Sequence, residues 1–590
     1  MWTRLRIEDV RSIVHYLGLL VVIVGVLMVV PLVVALLSRE WNPAIWFVLS
    51  LGVTTSVGLA MSIVRPTEMG LTRKQATILT GLAWLVVAVF CAIPSYLSGN
   101  YLSYFDALFN AASSLTGTGM SLMNSFRPIP TSLSVWNSMM VIIGAQGIVL
   151  VAMGLGTISN LSGTGTLFSA EGHSDKIGPQ VADTSRFVGI FMGIFILVGT
   201  VACTLILIVS DGFTPGFALL HGFTCAANAV ATGGTTIMPT GVDYYRSTEL
   251  NLVLSLLELT GTFSFALYFY MARKGPREFL RDIETRVILC WMAVVTVVLS
   301  IAFAGDGRFG SLEIFFDKGL FNLISAVTGT GYMTFTSSQI SSVASSAVVF
   351  TLILGMCMGG ATSSTAGGFK AIRMGLVVRS VVSEVRRTLM PAHAREVDRF
   401  YHFGEQELTP EMSRNVMLVI ILYLISFAIG AVLGVAYGYD AVSAVLESVS
   451  CTANCGISSG IVTPGMPMGL KVCYFIQMLA GRLEFITLLT TLASIGSSVG
   501  YAVESSRLRR SIVGHVPVEI KRAWHGQRSG EGARTLRQGH GRADAAGERV
   551  HAPARGRRAG SPGAAADRRQ CARGGIGFSG RTRGGGDDRR

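Results

Sequence analysis

Charge is scarce in this sequence. Only 14% of its 590 residues are Asp, Glu, Lys or Arg, against about 25% in a typical soluble domain. Half are apolar, and mean hydropathy is +0.54. So little charge cannot coat a water-facing surface, which makes lipid the solvent for most of the chain. Paired cysteines are lacking too. Cys91, Cys203, Cys225, Cys290, Cys357, Cys451, Cys455, Cys473 and Cys571 contain no CxxC, so neither a zinc ribbon nor a disulfide framework is indicated. The four-residue step from Cys451 to Cys455 reads as packing. The nine histidines make no HExxH, and no Walker-type phosphate loop occurs. The expectation is a membrane protein that is not an enzyme and that binds no cofactor of its own.

Long apolar sequence, by contrast, is abundant. Runs able to cross a bilayer, roughly 17–25 residues each, recur ten times, near 13–37, 44–64, 76–98, 133–159, 187–210, 249–272, 287–304, 345–369, 415–437 and 470–502. The opening MWTRLRIEDVRS is charged and has no cleavage site at the usual distance, so the first run reads as an uncleaved helix. Residues 1–504 hold 28 basic and 28 acidic side chains, and the formal charge of +13 therefore belongs wholly to residues 505–590. From Gly526 that tail is rich in Gly, Arg and Ala, and the expectation is disorder without a nucleic-acid partner. Its abrupt onset also fits a coding-frame error. With the N-terminus inside, 19 Lys and Arg flank the spans on the cytoplasmic side, against six outside (Arg39, Arg127, Arg246, Arg308, Lys318, Lys471), which places both termini in the cytoplasm.

Four times a span is followed by an apolar stretch too short to cross, then a Gly/Thr/Asn cluster, then another span. The four are FDALFNAASS–LTGTGMS, FALLHGFTCAANA–VATGGTT, DKGLFNLISA–VTGTGYM and YDAVSAVLESVSC–TANCGIS. Aligned, each cluster has glycine fifth: Gly119, Gly234, Gly331 and Gly456, at intervals of 115, 97 and 125 residues. The fold class expected is all-α integral membrane, with four pseudo-symmetric membrane helix–pore loop–membrane helix repeats around a central pore, plus two extra N-terminal transmembrane helices. The corresponding divisions are a two-helix extension (1–70), repeats at 71–172, 173–282, 283–385 and 386–510, and a basic tail (511–590).

Irregular backbone at membrane depth is tolerated only where protein buries it or it lines a watery cavity. Four such loops imply a shared axis, where backbone carbonyls can replace the hydration shell of a monovalent cation. Glycine permits the backbone angles this needs, and each short helix would aim its negative C-terminal dipole at the ion. The candidate cation filter is Thr116, Gly117, Thr118 and Gly119; Ala231, Thr232, Gly233 and Gly234; Thr328, Gly329, Thr330 and Gly331; and Ala453, Asn454, Cys455 and Gly456. No acidic residue lies in these clusters, which argues against divalent selectivity.

These loops resemble the filter loops of the TrkH-type members of the Trk/Ktr/HKT superfamily of potassium uptake proteins. GMCMGGATSSTAGGFKAIRM (Gly355 to Met374) is similar to that family's Gly-rich intramembrane loop, and MLAGRLEF (Met478 to Phe485) to its arginine-bearing last helix. The resemblance covers about residues 70–505, and the two extra helices favour the TrkH type over KtrB. It implies potassium preference, because glycine fills all four filter positions. Cys455 departs from the family pattern. The resemblance also implies a homodimer and a cytosolic TrkA-type nucleotide-binding regulatory subunit, for which the basic loop from Arg379 to Arg414 is a possible dock.

The candidate gate comprises Gly359, Gly360, Thr362, Ser363, Ser364, Thr365, Gly367, Gly368, Lys370 and Arg482. The glycines can break the eighth span into two half-helices around a hinge or plug. Arg482, costly at bilayer depth by about 2.5–3.5 kcal/mol, reads as an electrostatic barrier below the filter, as a snorkelling side chain, or as the partner of a carboxylate such as Glu258. The competing function is a secondary transporter of another solute with broken midplane helices, which predicts two related halves instead of four loops.

Overall fold

The computed structural model describes residues 5–66, 71–124, 129–147, 181–238, 240–304, 311–335, 339–340, 345–391 and 397–498. The latter part of the expected 133–159 span, Lys176, Arg395 and the whole basic tail lie outside them.

Helix α1 (Ile7–Leu27) continues through Met28 into α2 (Val29–Leu37), and α3 (Trp41–Ser62) returns alongside. The pair approaches closely because it meets at Gly18 and Gly58, where an added Cβ would collide with backbone of the opposite helix. The unit that follows occurs four times. First come α4 (Arg73–Leu97), half-helix α5 (Tyr104–Thr116) and α6 (Thr131–Gln146). Thr72 and Gln75 form a capping box at the start of α4, and Ser103 caps α5. Second come α7 (Val181–Val209), half-helix α8 (Pro215–Val230), α9 (Thr248–Thr262) and α10 (Phe265–Lys274). Third are α11 (Ile283–Ala304), half-helix α12 (Phe321–Thr328), α13 (Ser346–Met358) and, after the Gly-rich segment, α14 (Ala371–Leu389). A small antiparallel hairpin, β1 (Arg399–Tyr401) and β2 (Glu405–Glu407), leads to the fourth set. That set is α15 (Pro410–Ala436), half-helix α16 (Ala441–Ala453), α17 (Met468–Leu483) and α18 (Phe485–Ser498).

Six of the described helices are long and apolar enough to cross a membrane, or eight if each bent pair counts as one. Two expected spans differ from their reading as single runs. The 249–272 run is α9 and α10, bent by 86°, and the 470–502 run is α17 and α18, bent by 111°. The second bend turns at Glu484, a non-glycine residue at φ +62. The 345–369 run stops at Met358, where the Gly-rich segment breaks the helix as expected.

Polarity is distributed inside out. On α15, Ile421, Ile425, Ile429 and Val432 are exposed at a spacing of three to four residues, so a single apolar stripe faces outward, and Val294, Val297 and Ile301 do the same on α11. Meanwhile Ser113, Thr116, Thr118, Asn228, Thr232, Ser325, Thr328, Thr330, Ser450 and Asn454 are buried. An apolar outside around a polar inside is what a membrane requires of a chain that lines a path.

Candidate functional site

Each half-helix ends at its cluster, and there the backbone turns the same way four times. The third residue of the filter quartet donates its N–H five residues back: Thr118 to Ser113 O (2.8 Å), Gly233 to Asn228 O (2.9 Å), Thr330 to Ser325 O (3.0 Å) and Cys455 to Ser450 O (3.0 Å). The second residue is left-handed in every copy, with φ of +77 at Gly117, +48 at Thr232, +72 at Gly329 and +55 at Asn454. So is the fourth, at Gly119, Gly234, Gly331 and Gly456. Glycine and asparagine tolerate that region, and threonine does not without support. Thr232 has it, because its hydroxyl donates to Thr365 Oγ1 at 2.9 Å.

The four turns close into a ring. A Cβ on Gly119 would collide with the carbonyl oxygen of Gly233, on Gly234 with that of Thr330, on Gly331 with that of Cys455, and on Gly456 with that of Thr118. In each case a fourth-position glycine meets the third-position carbonyl of the next quartet, and the last meets the first. All four glycines line one cavity of about 460 Å³, with Ser121, Thr236, Thr463 and Pro464 on its walls. Polar side chains pin the ring from behind. Thr116 and Thr118 share a hydrogen bond (2.8 Å), as do Thr328 and Thr330 (2.9 Å), and Asn454 Nδ2 donates to Thr118 Oγ1 (3.1 Å) and Met478 O (2.8 Å).

The profile of a family of cation transport proteins, TrkH, matches residues 53–501. The chain belongs to the TrkH family. Among its relatives, an uncharacterized cation transporter of Methanocaldococcus jannaschii is 28% identical over 83% of this chain and 97% of its own length. The Trk system potassium uptake protein TrkI of Halomonas elongata is 28% identical over 81% of this chain and 95% of its own. TrkH of Escherichia coli is 25% identical over 81% and 97%. The crystal structure of the potassium transporter TrkH from Vibrio parahaemolyticus shares the fold, with a TM-score of 0.67 at 24% identity, covering 81% of this chain and 97% of that one.

In this TrkH-family chain the Gly-rich segment packs on the face of the ring away from the large cavity, against first and second quartet positions. A Cβ on Gly367 would strike Ala453 O, and Gly329 lies beside Ala366 and Gly367. The segment is held from several directions. Gly359 and Gly368 pack backbone to backbone at φ +70 and +80. Gly360 lies against Thr262 O, to which Ala361 N donates at 2.9 Å, and Ser363 O accepts from Phe265 N at 3.4 Å. Ser364 donates to Ala361 O (2.6 Å), Thr365 Oγ1 to Gly261 O (2.9 Å), and Lys370 Nζ to Ala366 O (2.6 Å).

Arg482 reaches this segment from α17, donating to Thr365 O (2.6 Å) and to Gly144 O (2.7 Å) and Ala145 O (3.2 Å) at the end of α6. Trp84 lies under its guanidinium at 5.8 Å. Glu258 is not its hydrogen-bond partner. Glu484, at the break after α17, pairs with Arg373 and not with Arg482. Between these groups and Ser363, Ser364 and Gly367 remains a cavity of only about 30 Å³.

Some residues that build the site were missed by sequence reasoning. Glu284, buried at the start of α11, accepts from Thr362 N (2.7 Å) and from its hydroxyl. Asp106 and Lys471 form a buried pair at 2.6 Å joining α5 to α17, although Lys471 had been counted only as an external charge. Gly144, Gly261 and Gly481 let three helices touch the carbonyls of Leu115, Val230 and Thr452, each just ahead of a quartet. An acidic residue bordering an apolar run was the visible signal for Glu284. The glycines had none beyond composition.

Proposed function

We propose that this chain is the potassium-translocating subunit of an uptake system in the plasma membrane, with both termini cytoplasmic. In this reading the carbonyls of the four quartets take the place of water around a bare potassium ion, entering from the 460 Å³ vestibule. The observation that carries it is the ring: four stretches about a hundred residues apart adopt one backbone conformation and contact each other in cyclic order. The names of the relatives from Halomonas elongata and Escherichia coli, as potassium uptake proteins, supply the ion.

The Gly-rich segment and Arg482 act as the gate beneath the ring. A water needs roughly 10–15 Å³ of such space, so 30 Å³ admits a water or two and no hydrated ion. In this reading the space beneath the ring is too small for ion passage. The membrane potential, worth about 2.3 kcal/mol per charge per 100 mV, drives influx once the segment moves. A homodimer and a TrkA-type nucleotide-binding subunit docking on the basic loop from Arg379 to Arg414 complete the assembly. The test is rescue of a potassium-uptake-deficient cell at low potassium by the unaltered chain, compared with Gly119→Ser. Rescue by the former and loss of potassium-over-sodium preference in the latter is expected. Choline uptake equal to potassium uptake would sink the reading.

A further inference from the structure

The ring is fourfold in backbone but not in what stands behind it. Gly144, Gly261 and Gly481 occupy matching places, each against the carbonyl just ahead of a quartet. Three residues earlier on the same helices stand Val141, Glu258 and Met478, all fully buried. Val141 shows what this place touches, since its Cγ1 is what a Cβ on Gly233 would strike, in the next quartet round the ring. Glu258 borders the first residue of the third quartet, with the Thr328 hydroxyl as its polar neighbour. Two copies put an apolar side chain here and the second puts a carboxyl.

No salt bridge reaches Glu258 among the described residues, and the Thr328 hydroxyl is its polar neighbour. Thr328 is already engaged with Ser325 O (3.2 Å) and Thr330 Oγ1 (2.9 Å), and the nearby Tyr332 hydroxyl donates to Cys225 O at 2.9 Å. Removing a carboxylate from water without a counter-charge is strongly unfavourable. The place is fully buried and lies one side chain from the path assigned to the ion. We propose that Glu258 is a further cation-binding residue whose counter-charge is the monovalent cation held in the ring, so that its negative charge tightens cation binding at the first positions of the quartets. This rests on the pore reading above and adds a residue outside the four quartets to the ion's binding site.

The test compares Glu258→Gln, which keeps shape and removes charge, with Glu258→Asp, which keeps charge and shortens the arm. Potassium uptake into vesicles at fixed inside-negative potential gives KM and maximal rate. Thermal stabilisation of the purified chain by potassium chloride, against choline chloride, gives binding directly. Expected are a KM about tenfold higher and a correspondingly weaker stabilisation for E258Q, with maximal rate within about twofold, while E258D stays within about threefold of the unaltered chain. Equality of E258Q with the unaltered chain overturns the proposal. So does E258D falling below E258Q, because that order marks a shape role in supporting Thr328. If E258Q does not fold, Glu258→Asp against Glu258→Asn repeats the contrast at shorter length. Absence of any potassium flux in the unaltered chain would count against the uptake reading, while the binding titration still decides the role of Glu258.

Discussion

The two faces of the ring of loops differ in size, charge and construction. One opens on about 460 Å³ lined by glycine, serine, threonine, methionine and other uncharged residues. The other closes on about 30 Å³ lined by Lys370, Arg373 and Arg482 with Glu484 as the one acid. The wide face is held by backbone: left-handed residues, bonds five residues back and carbonyls against glycine. The narrow face adds to backbone contacts of its own the side chains reaching in from distant helices, Arg482 from α17 and Glu284 from α11. Backbone packed against backbone has one arrangement, whereas side-chain bonds to carbonyls can be exchanged for water. The fixed face suits selection, and the exchangeable one, carrying net positive charge against a cation, suits gating.

That contrast breaks most severely at the fixed face. Gly331→Ala sets a Cβ into the Cys455 carbonyl at φ +84, where no flexible side chain can yield. Potassium uptake should fall at least 100-fold while the chain remains monodisperse in detergent; retention of half the activity would mean that the ring is looser than its contacts imply. Deleting Ala361 to Ala366 attacks the other face and should act in the opposite sense. Leak flux in reconstituted vesicles is expected to rise about tenfold, and unchanged leak would remove the gate assignment.

Smaller effects follow as single bonds are removed from the narrow face. Arg482→Ala loses three charge-assisted bonds to carbonyls of the Gly-rich segment and α6, so an increase in basal flux of about fivefold is expected, with Arg482→Lys intermediate because a single ammonium cannot span both segments. Thr362→Val removes only the hydroxyl bond to Glu284 and leaves the backbone one. A bond to a charged group is worth about 1.5–3 kcal/mol, but with half the contact retained, basal flux should rise by about twofold. A larger rise than for Arg482→Ala would make α11, not α17, the principal restraint.

Much of this arrangement is legible in sequence, because lipid imposes simple rules. Runs of apolar residues had to be spans, and repeated Gly/Thr/Asn clusters after short runs had to be buried loops. The second glycine in TGTG and the asparagine in TANCG are legible as left-handed residues. What hydropathy cannot show is a bend inside an apolar run. At 249–272 and 470–502 composition continues through the break, and only Glu484 within the second run signals it. Thr232 is also illegible locally, since the hydroxyl of Thr365 that supports its backbone lies 133 residues away. The hairpin at 399–407 escapes because three-residue strands leave no periodicity.

Cys455 carries the smallest expected effect and tests the fixed face most finely. Its carbonyl belongs to the ring, packed against Gly331. Its side chain does not: the thiol is fully buried, with Sγ 3.8 Å from both Ser325 O and Ala326 O at the end of α12. Cys455 therefore contributes its backbone to the ring and its sulfur to packing between loops, so its side chain can change without altering the ring. Cys455→Ser replaces a weak donor with a stronger one in the same place. Potassium-over-sodium preference should change by less than about twofold, and a charged methanethiosulfonate reagent added from outside should inhibit the unaltered chain and Cys455→Ala equally. Inhibition that disappears in Cys455→Ala would turn the sulfur toward the vestibule and contradict the packing that fixes this face.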